Sequence, residues 1–143
     1  MRVYYIFLIK KEMYNFTKNN PEALYRLFES IYYFKSKDVK LAFSVFDKVA
    51  KSFNKKNINK VIRDTSSDNL SYSMFGCTHS INDYLKSEST RLEVKTSHLL
   101  LKSNVLYPEF FKTLSSIPYL FVCDFNNMDY FYLKDVTLRE LSR

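Results

Sequence analysis

The residues best suited to metal chemistry in this chain are a cysteine and a histidine near its middle. Cys77 and His79 are separated by one residue, and both are side chains that bind Zn²⁺. The only others of these types are Cys123 and His98, and no CxxC or HxxxH spacing occurs. Because zinc sites usually combine closely paired ligands, we expect no metal site, no cofactor and two reduced thiols.

A second chemical possibility is a carboxylate cluster near the C-terminus. Asp124 and Asp129 flank a short polar segment, and Asp135 follows six residues later. Carboxylates at such spacing can serve general acid–base catalysis, but Asp also shapes turns by accepting hydrogen bonds from nearby backbone N–H groups. We favour the turn interpretation and predict no catalytic residue and no enzymatic activity. A catalytic or metal-binding protein remains the weakest of three alternatives.

Glycine is scarce, and this excludes several functions. Gly76 is the only glycine in the chain, whereas loops that cradle phosphates need several glycines for close backbone approach. Nucleotide-driven chemistry and a nucleophilic serine elbow are therefore disfavoured. Turns must rely instead on Asn and Asp.

Composition indicates a folded protein with a basic surface. The 143 residues are 46% hydrophobic and 17% aromatic, which suits a single domain spanning 1–143 with a substantial core. The net charge of +7 is compatible with nucleic acid, an anionic membrane or an acidic protein. The apolar run Val3–Ile9 is short for a signal peptide, and Lys10-Lys11-Glu12 stands where a cleavage site would be. With no segment of membrane-spanning length, we expect a cytoplasmic protein and no membrane contact.

Local patterns predict a mixture of helices and strands. A central strand is expected at Val3–Lys10, and a helix is expected to begin at Asn20-Pro21-Glu22. Asp38 can cap a second helix, with a strand over 41–46 as the alternative. Residues 57–63 indicate a short helix, and 70–85 show no convincing period. Paired strands are expected at Arg91–Thr96 and His98–Leu101, a helix after Pro108, and a hairpin from Tyr119–Phe125 and Tyr130–Lys134. The expected fold is α/β (α+β), a two-layer sandwich of a small mixed or antiparallel sheet with helices packed on it.

One stretch is markedly basic. Between residues 48 and 63 it contains Lys48, Lys51, Lys55, Lys56, Lys60 and Arg63. Such a series can contact phosphates, so a small basic nucleic-acid-binding domain is the alternative function. Basic runs more often form the solvated face of an amphipathic helix, so direct nucleic-acid contact is not our leading expectation.

Blocks at both ends of the chain resemble a known family. The sequences YYIFLIKKE at 4–12 and ALYRLF at 23–28 are similar to the N-terminal part of the sporulation inhibitor of replication (SirA) family. The block FFKTLSSIPYLFVCDFNNMDYFYLKDV at 110–136 resembles the closing helix and hairpin of the same family. The resemblance is weaker over 34–90.

The resemblance implies a function and a site. Proteins of this family are small cytoplasmic α/β proteins of Gram-positive bacteria that bind the N-terminal domain of the replication initiator DnaA and so limit replication at sporulation. The resemblance implies a non-enzymatic inhibitor, monomeric before complex formation, with partner contacts at Met13, Thr17 and, less directly aligned, Lys40. Because Met13 and Thr17 replace aromatic residues of the family, the adjacent Tyr14 and Phe16 complete the predicted partner-binding set.

Overall fold

The computed structural model describes residues 1–33 and 39–137, and these form eight strands and six helices. The strands are β1 (Arg2–Ile9), β2 (Ala50–Lys51), β3 (Tyr72–Phe75), β4 (Thr78–Asp83), β5 (Glu88–Val94), β6 (Leu99–Ser103), β7 (Leu120–Asp124) and β8 (Asp129–Tyr132). The helices are α1 (Lys11–Thr17), α2 (Pro21–Tyr32), α3 (Val39–Val49), α4 (Lys55–Ser66), α5 (Glu109–Leu114) and α6 (Leu133–Thr137).

All strand pairs are antiparallel, and together they make one open sheet. The order across the sheet is β3-β4-β5-β6-β1-β7-β8, and the short β2 pairs with the C-terminal end of β1. The central position of β1 confirms the strand predicted from its nearly continuous apolar sequence, since β1 pairs on one side with β6 and on the other with β7.

Each face of β1 contributes to a separate core. Tyr4 and Ile6 pack with residues of α4, α5 and α6, while Phe7 and Ile9 pack with residues of α2 and α3 on the other face. Because side chains alternate across a strand, an apolar residue at almost every position requires cover on both faces. The α+β class is confirmed. Helices pack on both faces of the sheet, whereas a two-layer sandwich has helices on one face only.

Several local predictions are confirmed by the strand registers. β5 and β6 pair from Thr90↔Ser103 to Val94↔Leu99, and β7 and β8 form the C-terminal hairpin from Phe121↔Tyr132 to Asp124↔Asp129. The helix that begins after Asn20 is α2, with Pro21 in its first turn. Residues 70–85, where no period was apparent, form the β3–β4 hairpin.

Other local predictions need correction. The segment between β1 and α2, for which the sequence patterns predict no element, is the helix α1. Residues 41–46 lie within α3, which confirms the second helix and excludes the alternative of a strand there. The second helix is shorter than its apolar pattern predicts. Apolar residues continue at helical spacing to Ala50 and Phe53, but α3 ends at Val49 and β2 begins at Ala50. Phe53 is buried in the core of the opposite sheet face. Asp38, the predicted cap, lies outside the described residues.

Over the described ranges 1–33 and 39–137, the helices are too short or too polar for any of them to cross a lipid bilayer.

Candidate functional site

Helix α1 contains four of the five residues predicted to bind a partner. It is held by Thr17, which is only 8% exposed. The Thr17 hydroxyl Oγ1 donates to the backbone oxygen of Met13 at 2.7 Å and lies 3.1 Å from the hydroxyl of Tyr132 in β8. Thr17 therefore attaches the C-terminal turn of α1 to the edge of the sheet, and its side chain faces inward.

Tyr14 provides a second attachment for α1. Its ring lies 4.9 Å from the ring of Tyr119 and 5.0 Å, edge to face, from that of Tyr132. The ammonium group of Lys134 lies 4.8 Å from the centre of the Tyr14 ring, within the range of a cation–π interaction. Tyr14 and Met13 are both half-buried against the core that contains α2 and α3.

Phe16 differs from its neighbours on α1 because it points to solvent. Its side chain is 81% exposed, whereas Thr17, the next residue, is buried. Exposing a whole phenylalanine to water forgoes the roughly 2 kcal/mol that burial of such a side chain would gain. Phe16 is thus an exposed aromatic group on a helix that is fixed from its other side.

Lys40 lies at a distance from α1. It is exposed in the first turn of α3, next to the exposed side chains of Val39 and Leu41. The opposite end of α3 meets the start of α1, where the Lys10 N–H donates to the Val49 carbonyl at 2.9 Å and Lys10 Nζ donates to the Asp47 carbonyl. Helix α2 is about 18 Å long, α1 ends just before it, and the first turn of α3 lies beside its last turn, so Phe16 and Lys40 lie near opposite ends of α2.

An apolar groove opens between α2, α3 and the sheet near the Lys40 end. It has a volume of about 530 Å³, and much of its wall is aromatic. The aromatic residues lining this groove are Tyr5, Phe7, Phe28, Tyr32, Phe43, Phe46 and Phe125. Sequence reasoning did not identify the groove, because its wall combines a strand, two helices and the end of a hairpin that are far apart in the chain.

The carboxylates near the C-terminus have the structural role favoured from the sequence. Asp124 is buried, and its carboxylate accepts hydrogen bonds from the Asn127 backbone N–H at 3.2 Å and side-chain amide at 2.7 Å. Arg2 also pairs with it at 3.1 Å. Asp129 is the cross-strand partner of Asp124 at the hairpin end, whereas Asp135 is exposed in α6. Asp124 therefore shapes the β7–β8 turn and links it to β1.

His79 is fully buried and uses both ring nitrogens in hydrogen bonds. Nδ1 lies 2.7 Å from the Tyr72 hydroxyl, and Nε2 lies 2.7 Å from Oδ1 of Asn59. Because the amide oxygen accepts, Nε2 carries the proton and Nδ1 accepts from Tyr72. Burial lowers the pKa of His79 to about 4, so the ring is neutral near pH 7. Cys77 is exposed and accepts a hydrogen bond from the Asn59 amide at 3.3 Å.

The remaining histidine and cysteine are also packed in the fold. His98 has a pKa lowered to about 4 by burial and by nearby Lys95, and its Nδ1 lies 2.8 Å from the Ser97 hydroxyl. Burial raises the pKa of the Cys123 thiol. Within residues 1–33 and 39–137, no cluster of three or more His, Cys, Asp or Glu side chains could hold a metal ion.

The basic stretch 48–63 is divided among three elements. Lys48 lies in the last turn of α3, Lys51 lies in β2, and the other basic residues belong to α4. The series is therefore not one continuous helical face, and only the part on α4 can act as a unit.

The described residues thus define an α+β protein with exposed aromatic side chains on its helices, a residue type that protein–protein interfaces favour. A family model described as sporulation inhibitor of replication protein SirA matches residues 2–137, nearly the whole chain. The chain belongs to this family, which makes it a regulatory protein that inhibits replication in connection with sporulation. A search among curated proteins found no significant match.

Proposed function

We propose that this protein inhibits the initiation of DNA replication by binding the N-terminal domain of DnaA in the cytoplasm. It acts without catalysis, as a monomer that forms a complex with its target. Membership of the replication-inhibitor family supports the inhibitory role. The choice of DnaA as target follows from the resemblance in the terminal sequence blocks.

The observation that carries the proposal is the exposure of Phe16 on an immobilised helix. The hydrogen bonds of Thr17 and the ring contacts of Tyr14 fix α1 before any partner binds. Because the backbone at Phe16 is held, only the side-chain torsions of Phe16 lose freedom on binding, which favours this residue as an interface anchor.

The predicted residues have different roles in this proposal. Phe16 enters the partner, Met13 and Tyr14 contribute their exposed edges, and Thr17 orients the helix from beneath. Lys40 makes a peripheral electrostatic contact at the other end of α2. An interface that includes both ends would extend over about 18 Å, a span compatible with the roughly 800 Å² per partner of a standard protein–protein interface.

Calorimetric titration of the purified protein with the N-terminal domain of DnaA tests the proposal. Phe16→Ala removes the exposed ring, and we expect the affinity to fall at least ~10-fold, as for other aromatic anchors. Tyr84→Ala is the matched control, because Tyr84 is an aromatic residue of similar exposure, 94%, between β4 and β5. This control is expected to change the affinity less than about twofold.

Two results would contradict the proposal. Absence of binding by the folded wild-type chain would exclude DnaA as the target, and equal affinities of the wild type and Phe16→Ala would misplace the site. Circular dichroism of each variant shows whether a loss of binding comes from loss of folding.

A further inference from the structure

One edge of the sheet lacks the usual protection against pairing with another chain. Among the described residues, β3 pairs only with β4, which leaves its other side as a sheet edge. Edge strands usually carry a charged residue, a proline or a bulge that discourages added strands. β3 has the sequence YSMF, with neither charge nor proline, and its Phe75 side chain is 90% exposed.

The backbone of β3 presents hydrogen-bonding groups on this outer side. The Ser71 carbonyl accepts from the Asn82 N–H at 3.1 Å, so the alternation of an antiparallel ladder directs the Ser73 and Phe75 backbone groups toward β4. The N–H and C=O of Met74 and the C=O of Tyr72 point the other way. The Tyr72 N–H bonds to the Asn69 carbonyl at 3.1 Å, which leaves three groups for an added strand.

Helix α4 places positive charge beside this edge. Asn59 faces the β3–β4 hairpin, since its side chain bonds to His79 and Cys77. Lys56 and Arg63 are exposed and lie three and four residues from Asn59, on its side of the helix. The exposed Lys60 is the helical neighbour of both, so the three residues form one basic strip next to Asn59. Arg63 acts electrostatically on Tyr72, opposing the rise in the Tyr72 pKa that burial causes, and also pairs with Asp64 at 3.3 Å.

These charges decide which kind of chain suits the edge. Pairing of β3 with β3 of a second copy would bring two basic flanks together, and the repulsion disfavours a dimer. An acidic segment gains the opposite sign of interaction. The two sides of the strand also differ, since Tyr72 packs toward the α4–α5 core and the exposed Phe75 projects from the other face.

We propose that β3 is a second docking edge, which binds an extended acidic segment of a partner protein as an additional strand. Alternate residues of that segment place carboxylates against Lys56, Lys60 and Arg63, and the intervening residues place apolar side chains against Phe75. This surface is separate from α1, so it goes beyond the proposed binding of DnaA through Phe16.

Fluorescence anisotropy with a labelled peptide of alternating glutamate and valine tests the docking edge. Binding is expected at low ionic strength and should weaken as salt is added. Two matched peptides define the mode of binding. A peptide of alternating lysine and valine has the opposite charge. A glutamate–valine peptide that is N-methylated at alternate residues lacks the backbone N–H donors of those residues. Each peptide is expected to bind at least ~10-fold more weakly than the unmodified acidic peptide.

Protein variants identify the edge. Met74→Pro removes the outward N–H, a change that edge strands tolerate, and Lys60→Glu reverses a charge on α4 without touching β3. Each should weaken peptide binding at least ~10-fold, whereas Lys102→Glu, at an exposed position in β6, should change it less than about twofold. Affinity for the N-terminal domain of DnaA should stay unchanged in all three variants. The peptide measurements therefore test the β3 edge independently of the proposed binding of DnaA through α1.

Four outcomes would overturn the docking edge. The first is failure of the acidic peptide to bind the wild type, and the second is equal binding of its N-methylated form. The third is a dimer, seen in sedimentation, that Met74→Pro abolishes. The fourth is preferential binding of an oligonucleotide, which Lys60→Glu abolishes and Met74→Pro leaves intact. The third would assign β3 to a second copy, and the fourth would assign α4 to nucleic acid.

Discussion

At the scale of single residues, Thr17 shows how a predicted contact position can act indirectly. The family resemblance implies a partner contact at Thr17, and the structure buries this residue under α1 with its hydroxyl between Met13 and Tyr132. Tyr132 is 115 residues away, so the contact could not be inferred from local pattern. The same holds for His79, which is buried and whose two ring nitrogens find hydrogen-bond partners in Tyr72 and Asn59.

The role of Thr17 can be measured with a substitution of nearly equal shape. Thr17→Val removes the hydroxyl, and we expect the free energy of unfolding to fall by about 1–2 kcal/mol, because Tyr132 loses a buried partner. Urea denaturation measures this change. Tyr132→Phe removes the other hydroxyl, and the double variant should cost less than the sum of the two single changes. Unchanged stability in both single variants would show that the pair does not anchor α1.

At the scale of elements, short-range patterns predicted the strands and hairpins best. β1 and the β7–β8 hairpin follow from a run of apolar residues and an Asn- and Asp-containing turn, both local signals. Helix α1 was missed, although Met13, Tyr14 and Thr17 have the spacing of one helical face, because the segment is only seven residues long. The break at Ala50 was missed because pairing of β2 with β1 overrides the helical pattern.

The β3–β4 hairpin depends on the single glycine. Gly76 has φ +62°, a left-handed conformation that costs other residues about 1–2 kcal/mol. Apart from Gly76 and its two chain neighbours, nothing lies within 4 Å of the position that a Cβ would take, so Gly76→Ala should lower the free energy of unfolding by about that backbone cost alone. Urea denaturation again provides the measurement. Gly76→Asn should lose less, because Asn tolerates this conformation better, and equal losses in both variants would contradict the argument.

At the scale of the whole molecule, one sheet positions two surfaces on different elements. The helix that carries Phe16 is held by Tyr132 of β8 and by Tyr119, while the β3 edge lies beside α4 at the other end of the strand order. The sequence predicted the α+β class, whereas the α1 surface was implied by the family resemblance and stays a prediction. The sequence could not predict the second surface, because the position of β3 at an edge depends on how seven other strands pair.

The most direct test of the central claim is a nuclear magnetic resonance titration of the ¹⁵N-labelled protein with the unlabelled N-terminal domain of DnaA. We predict that the largest amide shift changes cluster in α1 at Met13–Thr17, with further changes near Lys40 and few at Tyr72–Phe75. Binding that leaves the α1 amides unperturbed, or the absence of any shift changes at saturating DnaA domain, would contradict the account.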